Sequence, residues 1–347
     1  MKKEFLDQLI ACPSPSGDEK QIQNLWMDEM RPFVDEIRTD LSGNAYGILN
    51  PEAPFKVLLA GHCDEIAFMV RHIDSNGFIS VAKAGGISPK LALGNRVRIL
   101  GSQTIKGVVT VPAEHKGGAK GEVKIEDILI DTGASKKEDL EGLVEVGDYI
   151  IYDVDHEDLM NDLYAARALD NRTGAFIIGE ALKVLSKEEI KVGVYGVSTV
   201  NEETTMGGAH FAAAQIEPNM AIACDVTFAT DAPGSSPAKE GDVKLGGGPV
   251  ISIGSQINRK VNDLLKAAAK DNDHKLQVEL TPTRTGTDAD RMRFAGKGIP
   301  VALISLPLRY MHSPSEVVSL KDVQAEIDLI VDFIKSLSGQ EDLNPLT

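Results

Sequence analysis

The stretch Lys56-Val-Leu-Leu-Ala-Gly-His-Cys-Asp-Glu65 decides the fold. Residues 56–61 form an almost continuous apolar run without alternation of polar and apolar side chains, which indicates a strand buried on both faces. Such strands are typical of α/β proteins, in which helices cover both sides of the sheet. The run leads directly into His62, Asp64 and Glu65, so polar side chains follow at the carboxyl end of the predicted strand.

The regions around this strand predict the domain organisation. Near the N-terminus, two amphipathic helical patterns occur, and Ser16 followed by Glu19 predicts a capping box at the start of the second helix. Residues 68–157 contain short β-type runs separated by turn-forming residues, which is typical of a small all-β barrel or sandwich. Alternating helix and strand patterns then return. We therefore predict one α/β domain, residues 1–67 and 158–347, interrupted by an all-β insert, residues 68–157.

The composition limits the possible classes of function. Asp and Glu number 52 against 36 Lys and Arg, and the formal net charge of -16 disfavours binding to nucleic acids or to an anionic membrane surface. The first residues lack the apolar core of a signal peptide, and no stretch approaches the ~20 apolar residues of a membrane span. We therefore expect a cytoplasmic protein. Three widely spaced cysteines without a CxxC pair disfavour a disulfide framework or a structural zinc cage.

Two adjacent acids, Glu202 and Glu203, follow the apolar run of residues 192–200 and precede Gly207-Gly208. The two glutamates cannot both be core residues, and no basic residue nearby in the sequence pairs with them. Their negative charges therefore need a cation or a proton between them. Taken alone, they could also be a solvated acidic patch at a strand end. Because adjacent residues of an extended strand point to different sides, a local turn is required to bring both to one site.

Other His, Asp and Glu residues occupy the same kind of position, after an apolar run or at a helix start. In an α/β sheet, ligands gather beyond the carboxyl ends of the strands. Two imidazoles and several carboxylates without a cysteine pair form the ligand set of a zinc-type or cobalt-type site. A carboxylate shared between two metal ions accommodates the excess of acids. The residues concerned are His62, Asp170, Glu202, Glu203, Asp225 and His312.

Each of these residues also has a simpler explanation. His62 and Asp64 stand two apart and share a face, so Asp64 can fix the tautomer of the imidazole, although a surface pair gives the same pattern. Asp170 could serve only as a helix cap. His312 could be a packed histidine. The combination favours a metal site more strongly than any member does.

Five motifs follow one another along the chain: Gly61-His-Cys-Asp-Glu-Ile66, Ala168-Leu-Asp-Asn-Arg172, Glu202-Glu203 with Gly207-Gly-Ala209, Asp225-Val-Thr227 and Arg309-Tyr-Met-His-Ser313. In this order they resemble the motifs of the family forty-two dinuclear metallo-aminopeptidases. This family comprises the tetrahedral (TET), glutamyl and deblocking aminopeptidases and relatives labelled CelM endoglucanases. The resemblance covers essentially the whole chain, but the sequence departs from the family pattern at residues 204–206, on the surface expected to face the substrate.

The resemblance implies a fold and a set of residue roles. It implies a zinc-peptidase-like catalytic domain with a mixed sheet and helices on both faces, and a barrel or PDZ-like insert. Asp170 would bridge two divalent ions, zinc or cobalt, whose other ligands are His62, Glu203, Asp225 and His312. Which of these four serves which ion stays open. Glu202 would be the general base and Asp64 the partner that orients His62, and these two are the predicted catalytic residues.

The resemblance also implies an activity and partners. The expected enzyme releases N-terminal amino acids from peptides with a free N-terminus, by means of a water that the two ions activate and Glu202 deprotonates. The insert would mediate dimerisation, and the dimers would assemble into a tetrahedral dodecamer. The alternatives are another two-metal amidohydrolase such as a deacetylase, a CelM-type endoglucanase, and a metal-storage protein without activity. The sequence indicates no preferred N-terminal side chain.

Overall fold

The computed structural model describes residues 1–116, 118 and 121–347. Within this part of the chain, the strands form an eleven-stranded sheet and a closed six-stranded barrel. The strands are β1 Glu36–Thr39, β2 Ala45–Leu49, β3 Lys56–His62, β4 Ala67–Ile73, β5 Ile79–Ala84, β6 Arg96–Leu100, β7 Thr104–Val109, β8 Leu129–Asp131, β9 Tyr149–Tyr152, β10 Glu157–Leu159, β11 Leu163–Ala166, β12 Gly193–Thr199, β13 Met220–Phe228, β14 Val250–Gly254, β15 Gln277–Thr281, β16 Val301–Arg309 and β17 Glu316–Ser319.

The helices vary from single turns to seventeen residues. The α-helices are α1 Lys3–Ala11, α2 Lys20–Met30, α3 Pro89–Ala92, α4 Leu169–Leu185, α5 Glu202–Thr205, α6 Gly207–Ile216, α7 Pro237–Glu240, α8 Arg259–Asp271, α9 Ala289–Met292 and α10 Leu320–Ser336. Short 3-10 helices span Glu114–Lys116, Ile125–Asp127, Lys137–Leu140 and Met160–Asp162. None of the helices in the described residues is long and apolar enough to cross a membrane.

The large sheet is mixed, and its centre is parallel. The strand order is β1-β2-β12-β3-β13-β16-β17-β11-β10, with β14 joined to β16 and β15 joined to β14. Strands β12, β3, β13 and β16 pair in parallel, so their carboxyl ends meet at one edge. In β3 every side chain after Lys56 is buried, which confirms the prediction of a strand covered on both faces.

Helices cover both faces of this sheet, because alternate residues of β3 enter two different cores. Val57 and Leu59 pack in a core formed with α1, α2, α4, α8 and α10. Leu58 and Ala60 pack in a core formed with α6 and α9. Gly61 allows α4 to approach closely, since a Cβ at this position would lie 2.7 Å from the backbone carbon of Gly174. The predicted α/β class with helices on both faces is confirmed.

The barrel closes in the order β4-β5-β8-β7-β6-β9 and encloses its own apolar core. Its strands lie between Ala67 and Tyr152, and all of their residues except Ala67 fall in the predicted insert, residues 68–157. The prediction of a small all-β barrel is therefore confirmed. The sequence pattern did not indicate β8, because three residues are too few to show a period of two.

Candidate metal centre and active site

The structure brings all seven predicted site residues together at the carboxyl edge of the parallel strands. His62 is the last residue of β3, Asp170 lies at the start of α4, and the two glutamates open α5. His312 lies in the turn between β16 and β17. Asp225 was expected at the end of its strand, but β13 continues to Phe228 because it stays paired with β16 along residues 221–228.

One group of possible ligands contains His62, Asp170 and Asp225. The Nε2 atom of His62 lies 3.3 Å from Asp170 Oδ1 and 4.0 Å from Asp225 Oδ1. One ligand atom from each residue lies within 4.8 Å of the other two, and all three residues are buried. An imidazole nitrogen and two carboxylate oxygens at this spacing are suited to a divalent ion.

A second group contains Asp170, Glu203 and His312. The Nε2 atom of His312 lies 3.2 Å from Asp170 Oδ2 and 3.4 Å from Glu203 Oε2. The ligand atoms again lie within 4.8 Å of one another. Asp170 belongs to both groups and presents a different carboxylate oxygen to each imidazole.

Glu202 lies beside these groups and belongs to neither. Its Oε2 is 3.7 Å from Nε2 of His62, and the side chain is buried. Its neighbour Glu203 points to the other imidazole, so the two adjacent acids occupy distinct positions in the site.

A local turn brings both glutamates to the site, as the sequence predicts. Asn201 adopts a left-handed conformation with φ 59, and the chain then enters the helical turn of α5. The carboxylate of Asp64 accepts the backbone N–H of Glu202 at 3.0 Å and that of Glu203 at 3.3 Å. The same carboxylate lies 3.3 Å from Nδ1 of His62, whose other neighbour is the Asp64 carbonyl oxygen at 3.2 Å.

The predicted capping box of Ser16 and Glu19 is wrong. Helix α2 begins after Glu19 and has no side-chain cap. Ser16 instead donates its hydroxyl hydrogen to Asp64 at 2.5 Å. Glu19 accepts from the backbone and side-chain nitrogens of Asn201, both at 3.2 Å. Both residues thus support the turn that carries the paired glutamates, rather than the helix that follows them.

At the start of α4, Asn171 caps the helix, and the side chain of Asp170 faces the site. Asn171 caps the helix, since its Oδ1 accepts the N–H of Gly174 at 3.0 Å. Its Nδ2 donates to the carbonyl of Cys224, which joins α4 to β13 next to Asp225. The carboxylate of Asp170 makes no cap of its own helix, so the cap-only explanation of this residue fails.

The buried carboxylates and imidazoles shift each other's pKa values. Although burial opposes ionisation, contacts with His312 and His62 hold the pKa of Asp170 below its usual range. Burial, together with neighbouring acids, raises the pKa of Glu202, Glu203 and Asp225. Burial alone would lower the pKa of His312, but Asp170 and Glu203 raise it to about 11. The cluster carries more acid than its imidazoles neutralise, which is the condition that a bound cation relieves.

A further observation, concerning one oxygen of Glu203, indicates that these residues fit a pair of divalent ions. Oε1 of Glu203 is buried and finds no hydrogen-bond donor among the described residues. A buried carboxylate oxygen without a partner is costly, and a metal ion would satisfy it. The donor set of two imidazoles and three carboxylates, with one carboxylate common to both groups, suits zinc or cobalt better than calcium.

Several supporting residues were missed by the sequence analysis because their partners are distant in the chain. Glu316 accepts the backbone N–H of Asp170 and that of His312. Asp288 accepts the hydroxyl of Thr199, which stands beside His62 in the sheet, and burial raises the pKa of Asp288 to about 7. An acid at the start of a strand or in a Thr/Gly-rich turn is the only signal that the sequence offers for either.

The site opens into a cavity of about 1350 Å³. Glu202, Glu203 and His312 are among the residues that line it, and so are residues 204–206, where the chain departs from the expected motif. Large apolar side chains form other parts of its wall: Phe228, Leu280, Phe294 and Tyr310. A cleft of this size with acids at one end is suited to a peptide whose chain terminus meets the polar groups.

Comparison with known proteins agrees with the geometry. Residues 43–329 match the peptidase M42 family, described as M42 glutamyl aminopeptidase. The chain is 33% identical over 347 residues to a lysyl aminopeptidase from Pyrococcus furiosus, covering 97% of this chain and 98% of the relative.

Solved structures show the same fold over the full length. A TET aminopeptidase from a marine sediment archaeon of the Thaumarchaeota superposes with a TM-score of 0.90 at 29% identity, over 99% of this chain and 97% of that one. The TET1 peptidase of Pyrococcus horikoshii, which can assemble into a tetrahedron or a large octahedral shell, gives a TM-score of 0.86 at 28% identity, over 96% and 99%. The chain therefore belongs to the M42 family of aminopeptidases and is a peptide hydrolase.

Proposed function

We propose that this aminopeptidase uses two divalent metal ions, zinc or cobalt, to release N-terminal residues from peptides. His62, Asp170 and Asp225 would hold one ion, and Asp170, Glu203 and His312 the other. The observation that carries the proposal is the position of Asp170, whose two oxygens lie 3.3 and 3.2 Å from the two imidazoles. When bound, the ions supply the Lewis acidity that polarises the scissile carbonyl and acidifies the attacking water.

Glu202 is the general base in this proposal. It lines the cavity, lies 3.7 Å from His62 and belongs to neither group of ligands, so its carboxylate is available to exchange protons. A carboxylate in this position can accept a proton from a water and return it within one reaction cycle. Glu202 takes the proton of the water that attacks the carbonyl and delivers it to the departing amine.

Asp64 acts on the reaction through its neighbours. It holds the backbone of Glu202 and Glu203, and it lies beside Nδ1 of His62, which leaves Nε2 directed at Asp170. A carboxylate in this position fixes the ring orientation and the tautomer of a ligating histidine. Asp64 therefore positions both Glu202, the proposed base, and the imidazole of His62.

We further propose that the insert, residues 68–157, is a self-association module, through which dimers form and assemble into a tetrahedral dodecamer. The support is the closed barrel with its own core, together with the assembly described for the Pyrococcus horikoshii relative. Multi-angle light scattering on the whole protein tests this. A monomer at micromolar concentration would contradict the proposal.

The catalytic proposal is tested with Glu202→Gln, which keeps the size of the side chain but removes its basicity. The variant is expected to bind both ions like the wild type and to lose hydrolysis of aminoacyl anilides by at least 100-fold, the lower end of the usual contribution of a general base. Turnover at the wild-type rate by the ion-loaded variant would exclude Glu202 as the base.

Substrate panels separate the alternatives. Chelation is expected to abolish hydrolysis of aminoacyl anilides, and zinc or cobalt to restore it. Hydrolysis confined to N-acetylated amino acids would indicate a deacetylase instead. Release of reducing sugar from cellulose in the presence of chelator would indicate a glycosidase, which works with two carboxylates and needs no metal.

A further inference from the structure

Glu316 lies behind the candidate metal centre without facing its cavity. It is the first residue of β17, it is buried, and it stands next to Ala166 in the register of β17 with β11. Its Oε2 accepts the backbone N–H of Asp170 at 3.1 Å, and its Oε1 accepts the backbone N–H of His312 at 2.7 Å. One side chain therefore holds two segments that are separated by more than 140 residues in the chain.

One of the two segments has an unusual backbone conformation. His312 has φ 60, a left-handed conformation that costs free energy in a residue with a Cβ atom. Local preference does not favour this conformation, so a contact from outside the turn must stabilise it. Asp170, in the other segment, has non-helical dihedral angles and precedes the regular part of α4, and its backbone N–H is bound by Glu316.

A carboxylate suits this task better than other side chains. Each of its two oxygens accepts a hydrogen bond, so one group can bind two N–H donors that approach from opposite sides. The amide of a glutamine has only one oxygen, and its NH₂ group would face the second N–H donor. The two bonds of Glu316 thus require an acid at this position.

We infer that Glu316 is a positioning residue of the metal centre, which sets the distance between Asp170 and His312 by holding both backbones. The inference rests on the proposed two-ion function. Two of the three residues in the group of Asp170, Glu203 and His312 depend on Glu316, whereas only Asp170 does so in the other group. Substitution of Glu316 is therefore expected to weaken the binding of the ion held by His312 more than that of the other ion.

The test uses the whole protein, freed of metal by dialysis against a chelator and titrated with cobalt. Visible absorption and elemental analysis give the affinity and the number of bound ions. Wild type is expected to bind two, and Glu316→Gln is expected to bind one of them about 10- to 100-fold more weakly, the usual cost of losing a group that orients a ligand. Binding of neither ion by the wild type would contradict the proposed function itself.

Glu180→Gln is the matched control. Glu180 is also a buried glutamate that accepts a backbone N–H, that of Lys2 at 2.7 Å, and it lies on α4 roughly 15 Å along the helix from Asp170. This variant is expected to bind both ions as the wild type does. Wild-type affinity for both ions in Glu316→Gln would overturn the inference, and so would an equal loss at both sites, which would indicate a general role in folding.

Glu316→Asp replaces Glu316→Gln in the cobalt titration if the glutamine variant does not fold. It keeps the charge and both acceptor oxygens, but it is shorter by one methylene and cannot reach both N–H groups. The weakening of the same single ion is expected. Wild-type binding of both ions by Glu316→Asp would overturn the inference.

Discussion

The carboxylate of Asp64 accepts the backbone N–H of Glu202 at 3.0 Å, through the same oxygen that lies 3.3 Å from Nδ1 of His62. Its other oxygen accepts the N–H of Glu203 and the hydroxyl of Ser16. Asp64 is fully buried. One carboxylate thus contacts the proposed base, one proposed ligand in each group and, through Ser16, the segment between α1 and α2.

Asp64→Asn is expected to lower kcat about 10- to 100-fold in ion-saturated enzyme, because one amide oxygen cannot accept from every donor that the carboxylate now serves. The amide NH₂ would also face a backbone N–H. Steady-state kinetics with an aminoacyl anilide measures the effect. Ser16→Ala removes one donor and leaves the carboxylate intact, so a smaller decrease in kcat is expected for it than for Asp64→Asn. Equal rates for Asp64→Asn and wild type would show that the contact does not position the base.

The sequence could predict the edge at which the site forms, because carboxyl ends of parallel strands meet there. His62 could be placed from the run of β3 alone, and the turn at Glu202 from the need to direct two adjacent acids to one site. Ser16 and Glu19 could not be assigned, because their spacing matches a local cap while their partners lie 48 and 182 residues away. Long-range hydrogen bonds leave no periodic signal.

Apart from the pairing of Asp64 with His62, which followed from their spacing, the roles of the individual residues came from the family resemblance. The position of Asp170 at a helix start and of His312 after a strand predicted a common edge, but not that each oxygen of Asp170 would face a different imidazole. For Glu316 the sequence offered only an acid at the start of a strand, and it could not indicate the partners, because both are backbone N–H groups. The identity of the ions, the assembly and a cytoplasmic location stay predictions.

The turn between β5 and α3 belongs to the barrel and yet packs against the metal centre. A Cβ at Gly86 would lie 2.6 Å from both Cε1 and Nδ1 of the His312 ring. Gly86→Ala is therefore expected to displace this ring and to lower kcat about 100-fold, the scale of a misplacement of about 1 Å. Weaker binding of one cobalt ion should accompany the loss.

Ser88→Ala provides the control for Gly86→Ala. Ser88 lies two residues further along and its side chain makes no capping hydrogen bond to α3. The same kinetic and cobalt measurements should match the wild type. If Gly86→Ala also matches the wild type, the contact between this turn and the His312 ring does not affect the site.

Glu65, which follows β3, binds two buried arginines: Arg167, in the segment that leads into α4, and Arg172, in α4 itself. Arg172 also donates to the carbonyl of Ile10 and to the hydroxyl of Ser14. Glu65→Gln leaves two buried cations without their counter-charge, and about 3 to 5 kcal/mol of unfolding free energy is expected to be lost. Urea unfolding of both proteins at pH 7 measures this loss of unfolding free energy.

The pH dependence of stability gives a second measure of Glu65. Burial opposes its ionisation, but Arg167 and Arg172 lower the pKa of Glu65 below the unfolded value. Its contribution is therefore complete above the unfolded pKa of about 4.3 and is lost as the pH falls through the lower folded value. The wild type should converge on Glu65→Gln as the pH falls below 4.3, while exposed Glu122→Gln should follow the wild type throughout.

Asp170 and Asp225 differ in the number of ligand groups to which they belong, two for Asp170 and one for Asp225. A ligand that binds only the folded state at 100 times its Kd raises the unfolding free energy by about 2.7 kcal/mol. Wild type should therefore melt at a clearly higher temperature with zinc or cobalt than with chelator. Asp225→Asn should keep part of this increment and Asp170→Asn almost none, because both ions depend on the shared carboxylate. Differential scanning fluorimetry compares the three proteins, and an increment in Asp170→Asn as large as that in Asp225→Asn would show that Asp170 is not shared.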